Sequence, residues 1–253
     1  MAGVYECEIV EKRELAESVF AIAVERGELA ARSRAGQFAG INCGGGSLLR
    51  RPLSICDARG DTVEFVFEVK GEGTRRLADY PAGGCLDILG PLGNGFDIPD
   101  GKILVAGGGV GVPPLLFAAC SAPGRVDAVL GFRDSGRIIL KDRFEEVCGD
   151  VRVTTDDGSY GIAGTISGPL EELLEKGGYE AVLACGPRAM LGAAAALCGR
   201  YGVPCQVSVE ERMGCGIGAC LVCACATVAD GGTRMSRVCK DGPVFNATEL
   251  VWD

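Results

Sequence analysis

Four cysteines near the C-terminus constrain the fold of this chain more than any other feature of its sequence. Cys215, Cys220 and Cys223 follow the spacing C-x4-C-x2-C, and Cys239 lies farther along the chain. Four thiolates at this spacing are typical of a [2Fe–2S] cluster. The first three must curl around one site from a tight loop, and the glycines interleaved among them give the backbone that freedom. We predict that these four cysteines are cluster ligands.

Two alternatives remain open on the residues of this segment alone. Four thiolates also suit tetrahedral Zn²⁺, although zinc sites usually combine two C-x2-C pairs and this segment contains only one. Cys225 would return to the same face of a strand as Cys223, so it is a candidate substitute ligand. The other interpretation of Cys225 is a small buried apolar residue.

The cysteine content of the whole chain indicates a reducing compartment. There are 14 cysteines in 253 residues, a fraction below the ~8–10% that marks a disulfide scaffold. The cysteines outside the cluster motif are scattered singly, and the N-terminal sequence lacks the charged and apolar regions of a signal peptide. We therefore expect a cytoplasmic protein with free thiols.

Charge and hydropathy argue against two classes of partner. The net charge of −9 disfavours nucleic acid, because such binding needs lysine and arginine to neutralise phosphates. The uncharged stretch 103–124 is long enough to suggest a membrane span, but three consecutive glycines and the pair Pro113 and Pro114 divide it. We predict a strand, a turn and a helix there, with no membrane partner and no nucleic-acid partner.

The first 99 residues have the alternating pattern of antiparallel sheet. Apolar residues alternate with polar ones in runs separated by turn-rich breaks, at residues 5–10, 19–25, 37–42 and 63–69. We predict an antiparallel β-barrel over residues 1–99.

The pattern changes after Pro99. Short apolar runs typical of buried strands, at 103–106, 126–130 and 181–184, alternate with helical stretches at 115–120, 170–176 and 188–201. Strands that alternate with helices indicate βαβ units and a parallel sheet. The expected fold class is therefore multidomain α/β plus β, with the barrel at 1–99, a parallel-sheet α/β domain at 100–206 and a small cluster domain at 207–253.

Two segments of the predicted barrel have the chemistry of an anion site. Arg51 lies in the sequence R-R-P-L-S, and a guanidinium binds a pyrophosphate with paired donors. Gly73 and Thr74 lie in G-E-G-T at a helix start, where backbone amides and a hydroxyl suit a phosphate. Taken alone, the first segment is more simply a basic turn before a strand.

Two turns of the predicted α/β domain lie where the ligands of such sheets bind. Gly107, Gly108, Gly109 and Gly111 follow a buried strand and precede a proline-containing helix start, and the turn 185–187 follows another buried strand. The glycine loop departs from G-x-G-x-x-G. Close helix–strand packing explains the loop equally well, and an ordinary turn explains the second segment equally well.

The order of these motifs is more specific than any one of them. R-P-x-S, G-x-G-T, G-G-G-V-G-V-P-P and C-G-P form, in this order, the motif series of the ferredoxin–NADP reductase superfamily, which the whole chain resembles. The stretch 210–225, E-E-R-M-G-C-G-I-G-A-C-L-V-C-A-C, with C-K-D-G-P-V-F at 239–245, closely resembles the electron-transfer subunits of type B dihydroorotate dehydrogenase.

The resemblance implies a set of FAD contacts in the first domain. The matching residues are Arg51, Pro52, Leu53, Ser54, Val66, Phe67, Glu68, Gly73 and Thr74. Leu53 and Ser54 would lie beside the isoalloxazine, and Gly73 and Thr74 would hold the FAD phosphate. Glu68 departs from the arginine that relatives often carry against the flavin.

The resemblance also implies an NAD region in the second domain. The matching residues are Gly107, Gly108, Gly109, Gly111, Cys185, Gly186 and Pro187. The segment 157–161 matches as well, without an assigned contact. Cys185 is a candidate nicotinamide contact, and a packed thiol is the alternative.

The function implied by the family is electron transfer between two subunits. A separate FMN-containing catalytic subunit would oxidise dihydroorotate to orotate in pyrimidine biosynthesis, and electrons would pass through the [2Fe–2S] cluster and FAD to NAD⁺. FAD suits this path because a flavin collects electrons singly and delivers them as a hydride. The absence of histidine excludes Rieske ligation and a histidine general base. The family implies a heterotetramer of two catalytic and two electron-transfer chains.

Three other functions remain open at this point. The nearest is the FAD and [2Fe–2S] subunit of a ferredoxin–NADP or sulfide-linked oxidoreductase, a group that tends to have aspartate where this chain has Cys215. A self-contained NADH-dependent oxygenase reductase usually orders or spaces its ferredoxin module differently. The third is a zinc-binding interaction protein without enzymatic activity.

A cluster that exchanges electrons with a second subunit needs an exposed face. The apolar residues Ile217, Leu221 and Val222 lie within the cluster segment, and we expect them to form a docking face. The alternative is that they pack the cluster loop.

Overall fold

The computed structural model describes residues 2–46, 48–229 and 232–252. These residues form a closed six-stranded barrel, a seven-stranded sheet and a two-stranded sheet. The predicted fold class, an antiparallel barrel followed by a parallel-sheet α/β region and a small cysteine-rich part, is confirmed.

The barrel is built from the N-terminal strands, which are all antiparallel to their neighbours. They are β1 (Gly3–Ala16), β2 (Val19–Glu25), β3 (Phe38–Ile41), β4 (Arg51–Arg59), β5 (Thr62–Glu68) and β6 (Cys85–Leu92). Their order is β1-β2-β5-β4-β3-β6, and β6 pairs with β1 to close the barrel. The alternating apolar residues of these strands face inward, so that Ile22, Phe65 and Ile88 are buried in its interior. Two short helices, α1 (Gly27–Arg32) and α2 (Glu72–Asp79), lie between strands.

The large sheet has the order β10-β9-β8-β7-β11-β12-β15. Its strands are β7 (Ile103–Gly108), β8 (Val126–Phe132), β9 (Val151–Thr155), β10 (Ile162–Ala163), β11 (Ala181–Cys185), β12 (Cys205–Ser208) and β15 (Val244–Asn246). All neighbours are parallel except β12 and β15. The connecting helices are α3 (Val112–Ser121), α4 (Lys141–Val147), α5 (Ser167–Lys176) and α6 (Arg188–Tyr201). The strands and helices predicted from the apolar runs all lie within these elements.

The C-terminal segment is anchored to the large sheet. After a loop, the chain forms the hairpin β13 (Ala224–Ala229) and β14 (Gly232–Arg237), then the single turn α7 (Val238–Asp241), and returns as β15. Phe245 of β15 pairs with Val207 of β12, and the Val209 amide donates to the Pro243 carbonyl at 3.0 Å. The expected border at 206/207 falls inside β12. None of the helices in the described ranges is long and apolar enough to cross a membrane.

Ion pairs join the barrel to the large sheet at two places. Arg143 of α4 binds Asp57 of β4 at 2.7 Å and also contacts Glu64 of β5. Arg137, which follows β8, lies 3.5 Å from Glu68 at the end of β5. The contacts of Arg143 with Asp57 and Glu64 are largely buried. Burial strengthens their electrostatic attraction relative to that of a surface ion pair. The two units are thereby held facing each other across the cleft that contains the candidate site.

Candidate cofactor and electron-transfer site

Two adjoining cavities occupy the cleft between the barrel and the large sheet. One, of about 220 Å³, lies against the barrel, and the other, of about 730 Å³, lies over the large sheet. Glu68, Lys70, Val110 and Glu210 line both cavities. We call them the barrel cavity and the sheet cavity. Ligands in the two cavities would therefore both contact these four residues.

The barrel cavity contains eight of the nine residues expected to contact FAD. They are Arg51, Pro52, Leu53, Ser54, Val66, Phe67, Glu68 and Thr74. The start of β4 and the end of β5 meet there because the two strands are antiparallel neighbours. Arg51 is the first residue of β4, and its guanidinium donates to the Leu49 carbonyl at 2.7 Å. Its contact with FAD stays a prediction. An apolar slot with a few convergent polar groups fits a flavin ring.

Gly73 and Thr74 shape the phosphate end of this site. The Thr74 hydroxyl donates to the Gly71 carbonyl at 3.0 Å and accepts the amides of Lys70 at 3.0 Å and Gly71 at 3.2 Å. It therefore fixes the start of α2, where backbone amides favour an anion. Gly73 is the one predicted residue that does not line the cavity, and a Cβ there would collide with the Arg51 guanidinium. Glycine at this position lets the guanidinium lie directly against the helix start.

Replacing Gly73 with alanine is expected to displace the Arg51 guanidinium and weaken FAD binding about tenfold or more, the loss that follows from a broken charge-assisted hydrogen bond. The measurement is the dissociation constant of FAD by quenching of flavin fluorescence. Gly71→Ala is the matched control, because a Cβ at Gly71 has nothing within 4 Å. Equal FAD affinity in the two variants would show that Arg51 does not hold the cofactor.

The sheet cavity contains most of the residues expected to contact NAD. Gly108, Gly109, Gly111, Gly186 and Pro187 line it. At the start of α3 the Val112 amide donates to the Gly109 carbonyl, and Pro113 and Pro114 have no amide hydrogen. The glycine loop before the helix, rather than the first amides of the helix itself, is therefore the candidate phosphate site. This arrangement fits a pyrophosphate over the glycine loop.

Two residues of the expected NAD set are not among those that line the sheet cavity. Gly107 packs against the helix, since a Cβ there would lie 2.9 Å from side-chain atoms of Leu115 and Val112. Cys185 is buried, and burial, with Glu210 nearby, raises the pKa of its thiol to about 12. The thiol is therefore neutral near pH 7, and its expected nicotinamide contact stays a prediction.

The segment 157–161 forms a turn beside the sheet cavity. The Asp157 carboxylate accepts the Ser159 amide at 2.9 Å and its hydroxyl at 2.6 Å. These bonds lower the pKa of Asp157, with the hydroxyl bond the largest cause. Asp157 does not line the cavity, whereas its neighbour Asp156 does. No motif in the sequence singled out Asp156 as a residue of this cavity.

The four predicted cluster cysteines come together as two pairs. The Cys215 amide donates to the Cys220 sulfur at 3.4 Å, and the Cys239 amide donates to the Cys223 sulfur at 3.5 Å. Cys215 therefore lies beside Cys220, and Cys239 lies beside Cys223. Within the described residues, no group of three or more cysteine, aspartate or glutamate side chains surrounds one common metal position. A single tetrahedral zinc needs four sulfurs around one point, whereas a [2Fe–2S] cluster needs two sulfurs on each of two irons. Four cysteine sulfurs arranged as two adjacent pairs fit a two-iron cluster.

Backbone amides point at all four of these sulfurs. Cys215 accepts from Ala219 at 3.3 Å, and Cys220 accepts from the Cys215 amide at 3.4 Å. Cys239 accepts from Gly218 at 3.1 Å, and Cys223 accepts from the Cys239 amide at 3.5 Å. Such donors stabilise thiolate charge, and hydrogen bonds to the sulfurs also tune the potential of an iron–sulfur cluster.

Cys225 lies outside this arrangement. It is buried within β13, and burial raises the pKa of its thiol. A neutral, buried thiol is typical of a small apolar residue. This environment favours the packing interpretation of Cys225 over the substitute ligand.

The loop that carries Cys215, Cys220 and Cys223, which we call the cluster loop, packs against the wall of the barrel cavity. A narrow cavity beside Cys215 is also lined by Phe38, Pro52 and Met213. The same three residues line the barrel cavity. This shared wall lies between the cluster loop and the candidate flavin site. Phe38 belongs to no motif in the sequence, and Met213 lies in the stretch 210–225 without an assigned contact. Their position in the fold identifies them as part of this wall.

The predicted docking residues surround Cys220 in the sequence and are exposed. Ile217, Leu221 and Val222 are 55%, 63% and 56% exposed. Leu221 also has a φ of 60°, a left-handed conformation that costs energy for a side chain of this size. Exposure above one half argues against the interpretation that these side chains only pack the loop.

Comparison with known proteins identifies close relatives over almost the whole chain. The family model of the iron-sulfur cluster binding domain of dihydroorotate dehydrogenase B matches residues 210–251. The chain is 40% identical to the dihydroorotate dehydrogenase B (NAD(+)) electron transfer subunit of Caldanaerobacter subterraneus subsp. tengcongensis, over 96% of this chain and 97% of that protein. It is 36% identical to the protein of the same name from Clostridium perfringens, over 96% of each.

Solved structures share the fold. A structure described as giving insights into flavin-based electron bifurcation, that of an NADH-dependent reduced ferredoxin-NADP oxidoreductase, is 32% identical with a TM-score of 0.86 and covers 97% of this chain and 90% of that one. A ferredoxin NADP+ reductase from Neisseria gonorrhoeae is 19% identical with a TM-score of 0.63, over 79% of this chain and 92% of that one, and shows the fold alone. On this identity and coverage, the chain belongs to the family of dihydroorotate dehydrogenase B (NAD(+)) electron transfer subunits.

Proposed function

We infer that this chain is the electron-transfer subunit of an NAD-linked dihydroorotate dehydrogenase, an oxidoreductase of pyrimidine biosynthesis. It passes electrons from a catalytic subunit through a [2Fe–2S] cluster and FAD to NAD⁺. The observation that carries this inference is the continuity of the site. The cluster loop shares a wall with the barrel cavity, and the barrel cavity shares four lining residues with the sheet cavity.

The residues of this chain bind and align the cofactors rather than perform acid–base chemistry. Bound FAD would supply the conversion between single electrons and a hydride. Arg51 and the start of α2 would hold its phosphate, and Pro52, Leu53 and Phe67 would exclude water from its ring. The glycine loop before α3 would bind the pyrophosphate of NAD.

The metal-ligand assignment follows the pairing of the thiols. We propose that Cys215 and Cys220 hold one iron and that Cys223 and Cys239 hold the other. The amide donors at each sulfur support this arrangement. We also propose three functional units, a FAD unit at 1–99, an NAD unit at 100–206 and a cluster unit at 207–253.

We propose a cytoplasmic heterotetramer with two FMN-containing catalytic subunits and two copies of this chain. The named relatives are subunits, which supports a catalytic partner. All fourteen cysteines are free in the structure, and free thiols suit a reducing compartment. The exposed apolar face beside the cluster supports docking at that point.

The test is NADH formation from dihydroorotate. This chain would be reconstituted anaerobically with its cofactors, with and without an FMN-type catalytic subunit from the same genome. Formation of NADH only when both chains are present is the expected result. If both chains carry full cofactor and form a complex but no NADH appears, the pyrimidine function fails. Reduced ferredoxin and sulfide would then be tested as donors, because a ferredoxin–NADP relative is 32% identical to the chain.

The docking face gives a separate prediction. Leu221→Asp is expected to weaken the complex with the catalytic subunit at least about tenfold, because a buried unpaired carboxylate at an interface is costly. The measurement is the dissociation constant by sedimentation or calorimetry. Val4→Asp is the control, since Val4 lies on the barrel and is 64% exposed, like Leu221 at 63%. A complex equally strong in both variants would place the interface elsewhere.

A further inference from the structure

One carboxylate that faces both cavities is paired with a cation from the opposite unit. Glu68 is the last residue of β5 and lines the barrel cavity as well as the sheet cavity. Its Oε1 lies 3.5 Å from Nη1 of Arg137, which follows β8 of the large sheet. The barrel therefore supplies a negative charge where the two cavities meet, and the α/β unit supplies its counter-charge.

The guanidinium of Arg137 is held in place by the barrel. Its Nη1 donates to the Glu17 carbonyl at 3.1 Å, and its Nη2 lies 3.9 Å from Oε2 of Glu17. Glu17 lies between β1 and β2. Arg137 is not among the residues that line either cavity. Its charge therefore lies behind Glu68 as seen from the cavities.

The charges of this pair are only partly exposed to water. The side chains of Glu68 and Arg137 are both partly buried, which weakens the screening of their charges relative to a surface pair. Lys70 Nζ lies 3.6 Å from Glu68 Oε2, but its side chain is mostly exposed. Water and salt screen such a charge more strongly. Glu68 and Arg137 therefore act on a bound ligand more strongly than Lys70 does.

The neighbours of Glu68 in the barrel cavity are the residues that suit a flavin ring. Val66 and Phe67 precede it in β5, and Leu53 and Ser54 belong to the antiparallel strand β4. A flavin gains negative charge when it is reduced, and charges beside the ring change its reduction potential. A carboxylate at this wall opposes the added charge. A cation that neutralises the carboxylate removes that opposition.

We propose that Glu68 and Arg137 are positioning residues with opposed charges that set the reduction potential of the bound flavin. Glu68 lowers the potential, and Arg137 raises it by neutralising Glu68. Neither residue exchanges a proton or an electron in this role. The proposal rests on the proposed function, because it requires FAD in the barrel cavity.

The test is the reduction potential of the flavin in the complete chain loaded with FAD and its cluster, measured at constant pH by equilibration with redox dyes. Glu68→Gln should make the flavin easier to reduce, and Arg137→Gln should make it harder to reduce. At a fixed applied potential, the ratio of reduced to oxidised flavin should change about tenfold in each direction, the effect of one unit charge roughly 10 Å away in a protein site. The double variant loses both charges and should lie close to the unaltered protein.

Glu17→Gln is the matched control, because it removes a carboxylate beside the same guanidinium. The Glu17 side chain is almost fully exposed and lines neither cavity. Water screens its charge, so the potential should stay unchanged. Arg137→Lys keeps the positive charge and should also leave the potential close to that of the unaltered protein. FAD content and melting temperature, measured in every variant, confirm that the fold is intact.

The signs of the two shifts distinguish this proposal from a structural role of the ion pair. If the pair only held the two units together, both single variants would break it alike and shift the potential in the same direction, which would overturn the proposal. Equal potentials in all variants at full FAD content would overturn it as well and would leave the proposed function intact. An unaltered chain that binds no FAD would overturn the proposed function and this inference with it.

Discussion

Cys220→Ala is expected to abolish the iron–sulfur cluster and, with it, all electron transfer from the catalytic subunit. Cys220 pairs with Cys215 and accepts the Cys215 amide at 3.4 Å. Removing one of four thiolates leaves one iron without a complete ligand set. The measurement is iron and sulfide per chain, together with the visible absorbance of the cluster. FAD content should be unchanged, because Cys220 does not line the barrel cavity.

Cys225→Ala is the matched control for this experiment. Cys225 is a neighbouring thiol in β13, and its buried side chain makes no bond to the paired thiols. The variant should keep full iron and sulfide and lose only a modest amount of stability, about 1 kcal/mol for a small buried group. Retention of a complete cluster in Cys220→Ala would contradict the ligand assignment. Loss of the cluster in Cys225→Ala would make Cys225 a ligand.

Gly111→Ala is expected to lower the free energy of unfolding by about 1–3 kcal/mol, the usual cost of overpacking, and to abolish measurable NAD⁺ binding. A Cβ at Gly111 would lie 2.5 Å from the Cys185 carbonyl oxygen and 2.6 Å from the Gly186 Cα. These backbone atoms cannot relieve the clash by rotating away, as the end of a long side chain could. The glycine loop and the turn 185–187 must therefore separate, and both form the wall of the sheet cavity.

Gly199→Ala is the control for the glycine experiment. Gly199 lies within α6, and a Cβ there has nothing within 4 Å. The free energy of unfolding of this variant should rise by about 0.5–1 kcal/mol, because alanine loses less backbone entropy than glycine when it folds into a helix. The measurements are urea-induced unfolding followed by circular dichroism and calorimetric titration with NAD⁺. Wild-type stability and affinity in Gly111→Ala would show that the two turns do not need their close contact.

Local sequence patterns were enough to predict the fold class and the iron–sulfur cluster. Before Pro99, apolar residues alternate with polar ones, which predicted the barrel. After Pro99, strands alternate with helices, which predicted the parallel sheet. Both predictions rest on the side-chain period, which follows directly from strand and helix geometry. The spacing of Cys215, Cys220 and Cys223 indicated the cluster for a similar reason, since a loop around a metal site is local in sequence. These signals come from neighbouring residues and need no knowledge of distant contacts.

Which distant residues contact each other is known only from the three-dimensional structure. Phe38, Met213 and Pro243 join the wall of the barrel cavity from segments far apart in the chain. Phe38 belongs to no motif, and the motifs that contain Met213 and Pro243 assigned them no flavin contact. Thr154 and Asp156 line the sheet cavity because β9 lies beside β8 in the sheet. The pairing of the four thiols likewise depends on where the hairpin returns Cys239. Such contacts depend on long-range packing, which local sequence patterns do not specify.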